Sequence, residues 1–325
     1  MRTGAAPALA LAAAAAVALA APSRASAHSR APTIALDVRL HVDSIPGVRA
    51  TVIDGNRRLR LRVDPGVTLI VRGLLGEPVL RFAGDGVWAN LSSPTIAADR
   101  ISSRRGSGWI QLTPHRGFTW HDHRLAPPRG RPAGSTAPFT LPVFLNGQAR
   151  TIGGLFTYVH RPAWWPWLLG SALVLVAVVA LARSAPRHRD SLAWLTALAA
   201  AAGALVASLG FATGNAITGR SEWFQVGCSL VLVVLATAAA FARRSVRTWT
   251  ASLIGAAAIV LSLREVVVFW HGVVISSLSP SVTRLAVAAA IAGGLAAAGV
   301  SFAADDAAES FSVAADDARH PQRAT

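Results

Sequence analysis

Hydrophobic and polar positions follow different periods in the two halves of the chain. In the N-terminal half, short apolar runs alternate with polar residues at a period of two. In RLRLRV (58–63), Leu59, Leu61 and Val63 share one face and three arginines share the other. Turn-forming strings such as DGN, DPG and GDG separate these runs. The pattern predicts an all-β domain over 28–162, an antiparallel sandwich or barrel, with the sandwich-like form preferred.

The C-terminal half consists of apolar segments, each near the ~20 residues that cross a bilayer. They predict five membrane spans, so that 163–303 forms an all-α transmembrane bundle in contact with lipid. Alanine, glycine and valine dominate these segments, which favours close helix packing and a filled bundle over a pore. The predicted spans lie at about 164–183, 191–211, 223–242, 249–276 and 284–303.

The N-terminus has the pattern of a secretory signal peptide, predicted over 1–27. Arg2 supplies the positive charge, an alanine-rich apolar run follows, and ASA at 25–27 is a small-residue cleavage site. Cleavage there makes His28 the mature N-terminus. An uncleaved membrane anchor is the rival interpretation, but the apolar run is short and ends at Pro22.

Charge then sets the predicted topology. The formal net charge is +15, and arginine accounts for all the basic side chains. Arginines follow the first and third predicted spans, which places those loops in the cytoplasm and the β-domain outside a multi-pass plasma-membrane protein. The acidic tail, 304–325, is predicted to be cytoplasmic and disordered. Because membrane topology explains the scattered arginines, nucleic acid is rejected as a partner.

Several strings resemble those of an uncharacterised actinobacterial membrane-protein family. The strings are GEPVLRF (76–82), SSPT (92–95), WHDHR (120–124) and LNGQARTIGGLFTYV (145–159), followed by a Trp/Pro-rich segment. The resemblance implies a signal peptide, an exported β-domain and C-terminal helices, with some members associated with CopC-type copper handling. Members often carry His directly after the signal peptide, as His28 is placed here. The family's further Trp and His after WHDHR are missing, so any site they complete is reduced in this chain.

The WHDHR string is the main candidate for a metal site. On a strand, His121 and His123 would share one face, with Trp120, Asp122 and Arg124 on the other. Two imidazoles on one face are half of a site for Cu(II), Zn or Ni. Asp122 would then orient ligands from behind or pair with Arg124.

A free His28 would add a second chelating group. Its α-amine and imidazole can hold one metal ion together, and a tetragonal nitrogen set suits Cu(II). The only methionine is the initiator and Cys228 is the only cysteine, so the soft ligands of a Cu(I) pathway are missing.

The alternative interpretation makes WHDHR structural, with a packed Trp120 and an Asp122–Arg124 pair that pins a loop. GEPVLRF is likewise expected to be a turn into a strand, with Glu77 paired to an arginine. The chain lacks a G-x-S-x-G elbow, a P-loop, H-E-x-x-H and C-x-x-C, so it is not expected to be an enzyme.

The fourth predicted span contains ionisable residues, which are functional candidates at membrane depth. In a continuous helix Arg264 and His271, seven residues apart, would share a face from which Glu265 is turned by ~100°. In the other interpretation the helix ends near Arg264, whose side chain reaches the interface, and a membrane-lying or returning segment follows.

Two functions therefore compete. The first is a membrane-anchored extracytoplasmic protein that binds or delivers a divalent metal, Cu(II) foremost, and works with another metal-handling protein. The second is a non-catalytic envelope interaction or assembly protein in which WHDHR is structural and the bundle is an anchor.

Overall fold

The computed structural model describes residue 34, residues 37–214 and residues 220–319. It contains an antiparallel β-domain followed by five long apolar helices, as the hydropathy pattern predicts. The predicted signal peptide, 1–27, and His28 lie outside the described residues.

The β-domain over 38–158 is built from ten strands within the described residues, and most are short, as strands separated by tight turns tend to be. In chain order they are β1 Val38–Val42, β2 Val48–Ile53, β3 Arg58–Val63, β4 Leu69–Arg72, β5 Pro78–Ala83, β6 Gly86–Asn90, β7 Trp109–Thr113, β8 Gly117–Trp120, β9 Thr136–Leu145 and β10 Gln148–Tyr158. One short helix, α1 (Pro94–Ala98), follows β6.

The strands form two antiparallel sheets that enclose one hydrophobic core. The larger sheet has the order β1-β10-β9-β4-β5-β6-β7, and the smaller has the order β2-β3-β8. Leu59, Leu61 and Val63 of β3 are 0 to 1% exposed and join the core, which confirms the alternation of RLRLRV. Trp120 at the end of β8 packs its ring 6.2 Å from that of Phe82 in the larger sheet. The domain is therefore a sandwich.

Five helices follow, and each is long and apolar enough to span a membrane. They are α2 Trp165–Ser184, α3 Arg189–Gly214, α4 Arg220–Ala239, α5 Arg244–Ser262 and α6 Pro280–Arg319. Small residues bring the helices close together, as the composition predicts. An added Cβ at Gly203 of α3 would lie 2.6 Å from the carbonyl oxygen of Ala286 in α6.

The fourth span is not one continuous helix over 249–276; its α-helix ends near Arg264, as in the second of the two interpretations. α5 ends at Ser262, a 3-10 helix covers Leu263–Phe269, and 270–279 is irregular. Non-helical backbone near a membrane is tolerated where protein covers it. Here Val273 and Ile275 are buried and pack with Val159 at the end of the β-domain. Apolar residues therefore occur in 270–279 because they contact the β-domain and not because they contact lipid.

The tail also differs from the prediction. α6 continues to Arg319, so it covers part of the acidic segment from 304 for which disorder was expected. Alanine is the strongest helix former, and alanines recur throughout this stretch.

Candidate functional site

The WHDHR segment leaves the sheet after its first residue, whereas the sequence placed the whole segment on a strand. β8 ends at Trp120, and Asp122 caps a 3-10 helix over His123–Leu125 by accepting a hydrogen bond from the N–H of Arg124. The inside–outside alternation nevertheless persists. Trp120 and Asp122 are buried, and His121 and His123 are exposed.

Asp122 is the centre of a buried hydrogen-bond network. Its side chain is 0% exposed, and Arg124 donates Nε to Oδ1 at 2.8 Å and Nη2 to Oδ2 at 2.6 Å. The indole Nε1 of Trp120 donates to Oδ2 at 3.3 Å, and Nη1 of Arg124 donates to the carbonyl oxygen of Arg72 at 3.0 Å. The pair therefore ties the segment after β8 to the end of β4.

The two histidines lie together on the outer side of this network. Their ring centroids are 5.5 Å apart with the planes at 64°. Nδ1 of His121 donates to the carbonyl oxygen of Arg57 at 2.7 Å, and Nδ1 of His123 forms a very short hydrogen bond to Oδ1 of Asp99. Asp99 is 2% exposed and also accepts the N–H of His123. Both rings are thus oriented through Nδ1.

A cavity of about 310 Å³ adjoins the histidine pair, and both rings line it. Ile34 and Asn56 line it as well. Ile34 forms an isolated bridge with Val274, in the irregular segment before α6. Ile34 therefore contacts both the cavity beside the histidines and the segment before α6.

Glu77, from the GEPVLRF string, connects with the SSPT string rather than with the predicted arginine. Its Oε1 accepts hydrogen bonds from the hydroxyls of Ser93 and Thr95, both at 2.6 Å, and its Oε2 accepts from the N–H of Leu75 at 3.0 Å. Glu77 directly precedes β5, so the predicted turn into a strand is present.

These contacts set the charge state of Glu77. Partial burial by itself would raise the pKa of the carboxyl. The hydrogen bonds from Ser93, Thr95 and Leu75 outweigh burial and lower the pKa from 4.5 to about 2. The carboxylate is therefore ionised throughout the physiological range.

Helix α1 joins the three strings into one structure. Ser93 caps its first turn and bonds to Glu77, and Asp99 follows its last residue and bonds to His123. Sequence reasoning missed Asp99, which precedes His123 by 24 residues. The sequence does show that Asp99 follows a short segment with a helix-capping serine. It does not show that Asp99 contacts His123, because that contact depends on the sandwich topology.

Arg264 and His271 do not share a helix face, as they would in a continuous helix. Nη2 of Arg264 lies 3.9 Å from Oε1 of Glu222, and Glu265 is fully buried. His271 lies beyond the 3-10 helix, with Nδ1 3.5 Å from Oδ1 of Asp37 in the β-domain. The α-helical relationship is lost because a 3-10 helix has about 3.0 residues per turn and then ends.

Asp37 joins the β-domain to the segment before α6. Its Oδ1 accepts the N–H of Gly272 at 3.0 Å, and its Oδ2 accepts Nε of Arg161 at 2.6 Å. Burial would raise the pKa of this carboxyl, but the hydrogen bonds from Gly272 and Arg161, with the charges of Arg161 and His271, lower it below 3.8. Sequence reasoning missed Asp37 as well.

Comparisons with protein-family models, with curated proteins and with solved structures found no match to this chain. Within the part of the chain that the structure describes, no three His, Cys, Asp or Glu side chains are grouped as metal ligands. The candidate site is therefore defined by its own geometry, a histidine pair with two oriented rings beside a cavity.

Proposed function

We propose that the protein is a membrane-anchored extracytoplasmic protein whose β-domain binds a divalent metal ion, Cu(II) foremost, through His121 and His123. The observation that supports this best is which nitrogen of each ring forms a hydrogen bond and which does not. In both rings Nδ1 donates to an oxygen, which leaves the lone pair of a neutral imidazole on Nε2. Metal-binding histidines are commonly held in this way by a carboxylate or a carbonyl group.

The spacing of the rings fits one shared ion. Imidazole nitrogens bind at ~2.0–2.1 Å from such a metal, which places the centres of two rings on one ion between about 4.5 Å apart, at a right angle, and about 6.5 Å apart, on opposite sides. The two centroids are 5.5 Å apart. Neither Nε2 has a hydrogen-bond partner among the described residues, so a metal would not displace an existing contact there.

His28 is proposed to complete the ligand set. It precedes Ile34 by six residues, and six residues span at most about 20 Å. Because Ile34 lines the same cavity as the histidine pair, this reach covers the site. The amine and imidazole of a mature N-terminal His28 would then join two oriented imidazoles in a nitrogen-rich site of the kind that Cu(II) prefers.

We further propose that the β-domain faces the outside of the plasma membrane. The chain leaves the β-domain along α2, returns toward it along α3, leaves again along α4 and returns along α5. The arginines at the far ends of these helices therefore lie away from the β-domain. Thr248 of α5 donates to Asp190 of α3 at that end, at 2.9 Å. Arginine-rich loops remain in the cytoplasm, which supports this orientation. The arginines are Arg183, Arg187, Arg189, Arg243, Arg244 and Arg247.

The second candidate is an envelope interaction or assembly protein without a metal. The observation in its favour is that Asp122 and Arg124 form a closed internal network that needs no ligand. In this case the Nδ1 contacts of His121 and His123 would only hold the segment after β8 in place.

The deciding experiment is titration of the full-length mature protein with Cu(II) in detergent, by calorimetry and electron paramagnetic resonance. His28 must be the true N-terminus. We expect one-to-one binding with nitrogen ligands. The His121→Ala/His123→Ala double variant should lose imidazole ligands, and extension by one residue before His28 should lose the amine ligand.

The matched control is His115→Ala, which removes an exposed histidine of the same domain. It should bind Cu(II) as tightly as the parent protein. Binding that is weak, or equal in the parent, the double variant and the extended protein, would reject the metal site in favour of the second candidate.

A further inference from the structure

A group of polar side chains is buried where α5 passes into the 3-10 helix. Ser262 and Glu265 are both 0% exposed, at the end of α5 and in the following turn. Glu222 and Gln225 of α4 are 2% and 8% exposed, and Ser229, on the same face of α4, is 0% exposed. α4 therefore turns a polar stripe toward the inside of the bundle, although it is apolar enough to span a membrane.

Gln225 holds Glu265 through a neutral donor. Its amide nitrogen donates to the carbonyl oxygen of Leu261 at 2.9 Å and to Oε1 of Glu265 at 2.6 Å, which uses both of its hydrogens. Oε2 of Glu265 and Oγ of Ser262 are enclosed and have no hydrogen-bond partner among the described residues. A carboxyl group thus lies inside the bundle with one oxygen satisfied and the other not.

The charged groups around Glu265 are engaged elsewhere. Nη2 of Arg264, the next residue in the chain, approaches Oε1 of Glu222 on α4. Arg284 of α6 donates Nε to the carbonyl oxygen of Val268 and Nη2 to that of His271, both at 2.9 Å. α2 and α3 carry ionisable residues only at their ends away from the β-domain, namely Arg183, Arg189 and Asp190. Among the described residues, neither Arg264 nor Arg284 forms an ion pair with Glu265.

We propose that Glu265 is a proton-binding site inside the helical bundle. A proton delivered from the solvent as hydronium adds to Oε2 and releases water, so the carboxyl becomes neutral and gains an O–H donor. Ser262 is three residues earlier, and its Oγ is likewise buried without a partner among the described residues. The two oxygens are not hydrogen-bonded to each other as they stand, so the Ser262 side chain rotates to accept the new donor once Oε2 is protonated. Ionisable groups at broken helices are recurrent proton and ion sites in membrane proteins.

Infrared spectroscopy of the full-length protein in lipid nanodiscs tests the proposal, because a protonated carboxyl has its own carbonyl-stretch band. We expect this band at neutral pH in the parent protein, its loss in Glu265→Gln, and its conversion to carboxylate bands at alkaline pH. Glu222→Gln is the matched control, a buried carboxyl on the facing helix, and should keep the band. A neutral-pH spectrum without a band that depends on Glu265 would overturn the proposal.

A second variant covers the case in which Glu265→Gln does not fold. Ser262→Ala keeps the carboxyl and removes the acceptor of its proton, so the band should shift in frequency; an unchanged band would reject the arrangement. The spectra are also compared in sodium chloride and choline chloride. A band present in choline and abolished by sodium would overturn the proton site and assign a sodium ion to the same oxygens.

Discussion

Asp122 and Arg124 are two residues apart and form a two-pronged ion pair beneath the histidines, with nitrogen–oxygen distances of 2.8 and 2.6 Å. Asp122 is fully buried, and the side chain of Arg124 is 17% exposed. The inward-facing side chains of WHDHR therefore hold the segment after β8 in place. The outward-facing histidines of the same string remain available for a ligand.

Arg124→Ala should destabilise the β-domain by about 3–5 kcal/mol, because it leaves the Asp122 carboxylate buried without its cation. The free energy of unfolding is measured on the full-length protein by urea titration with pulse proteolysis. Arg150→Ala is the control, since Arg150 is exposed on β10 and bonds only to Gln148 at 3.0 Å among its described contacts. It should change stability by less than about 0.5 kcal/mol. Equal losses in the two variants would contradict the structural role of the pair.

Glu77→Gln should remove a pH-dependent part of the stability. The pKa of the carboxyl is 4.5 in the unfolded chain and about 2 in the folded protein, so the folded state binds fewer protons between these values. The contribution is complete above pH 4.5 and is lost as the pH falls toward 2. We expect Glu77→Gln to cost about 1–2 kcal/mol at pH 7, allowing for partial exposure.

The measurement for Glu77 is the difference in unfolding free energy between parent and variant at pH 7 and at pH 3. This difference should shrink at the lower pH. Asp64→Asn, a change at an exposed carboxylate of the same domain, controls for general acid effects. A difference that stays constant from pH 7 to pH 3 would show that the hydroxyl contacts of Glu77 do not favour its ionised form.

Asp37→Asn should loosen the contact between the β-domain and the segment before α6. The variant keeps an acceptor for the N–H of Gly272 but loses the charge that binds Arg161. Amide exchange at Gly272 should accelerate about tenfold, as expected for hydrogen bonds to a charged group. Hydrogen–deuterium exchange of peptides from 270–279 measures this. Asp43→Asn, a change at an exposed carboxylate, should leave that exchange unaltered.

The sequence predicts the architecture well because the architecture depends on local periodicity. Alternation in RLRLRV places Leu59, Leu61 and Val63 in the core, and the length of each apolar run identifies the five spans. Hydropathy could not locate the end of α5, because residues that contact the β-domain are as apolar as residues that contact lipid. Val273 and Ile275 are of this first kind.

Only those contacts of the candidate site that join residues close in sequence were predicted. His121 and His123 do lie together, and Asp122 does pair with Arg124. Asp99 and Glu222 were missed because their partners are 24 and 42 residues away, and such pairs depend on topology. Glu222 also lies just outside the predicted third span, 223–242. In the structure it is buried within α4.

Gly294→Ala should disrupt the packing of α6 against α5. An added Cβ at Gly294 would lie 2.5 Å from the carbonyl oxygen of Gly255 and 2.7 Å from Cγ1 of Ile259. Backbone cannot yield as a side chain can, so we expect a loss of about 1–3 kcal/mol, as for other overpacked interiors. Thermal unfolding of the full-length protein in detergent measures this loss, with size-exclusion chromatography to check that the sample is monodisperse.

Gly170→Ala in α2 is the control, because a Cβ there meets no heavy atom within 4 Å and alanine favours a helix. It should be neutral or slightly stabilising, and similar melting temperatures for the two variants would mean that α5 and α6 do not approach as closely as their glycines indicate.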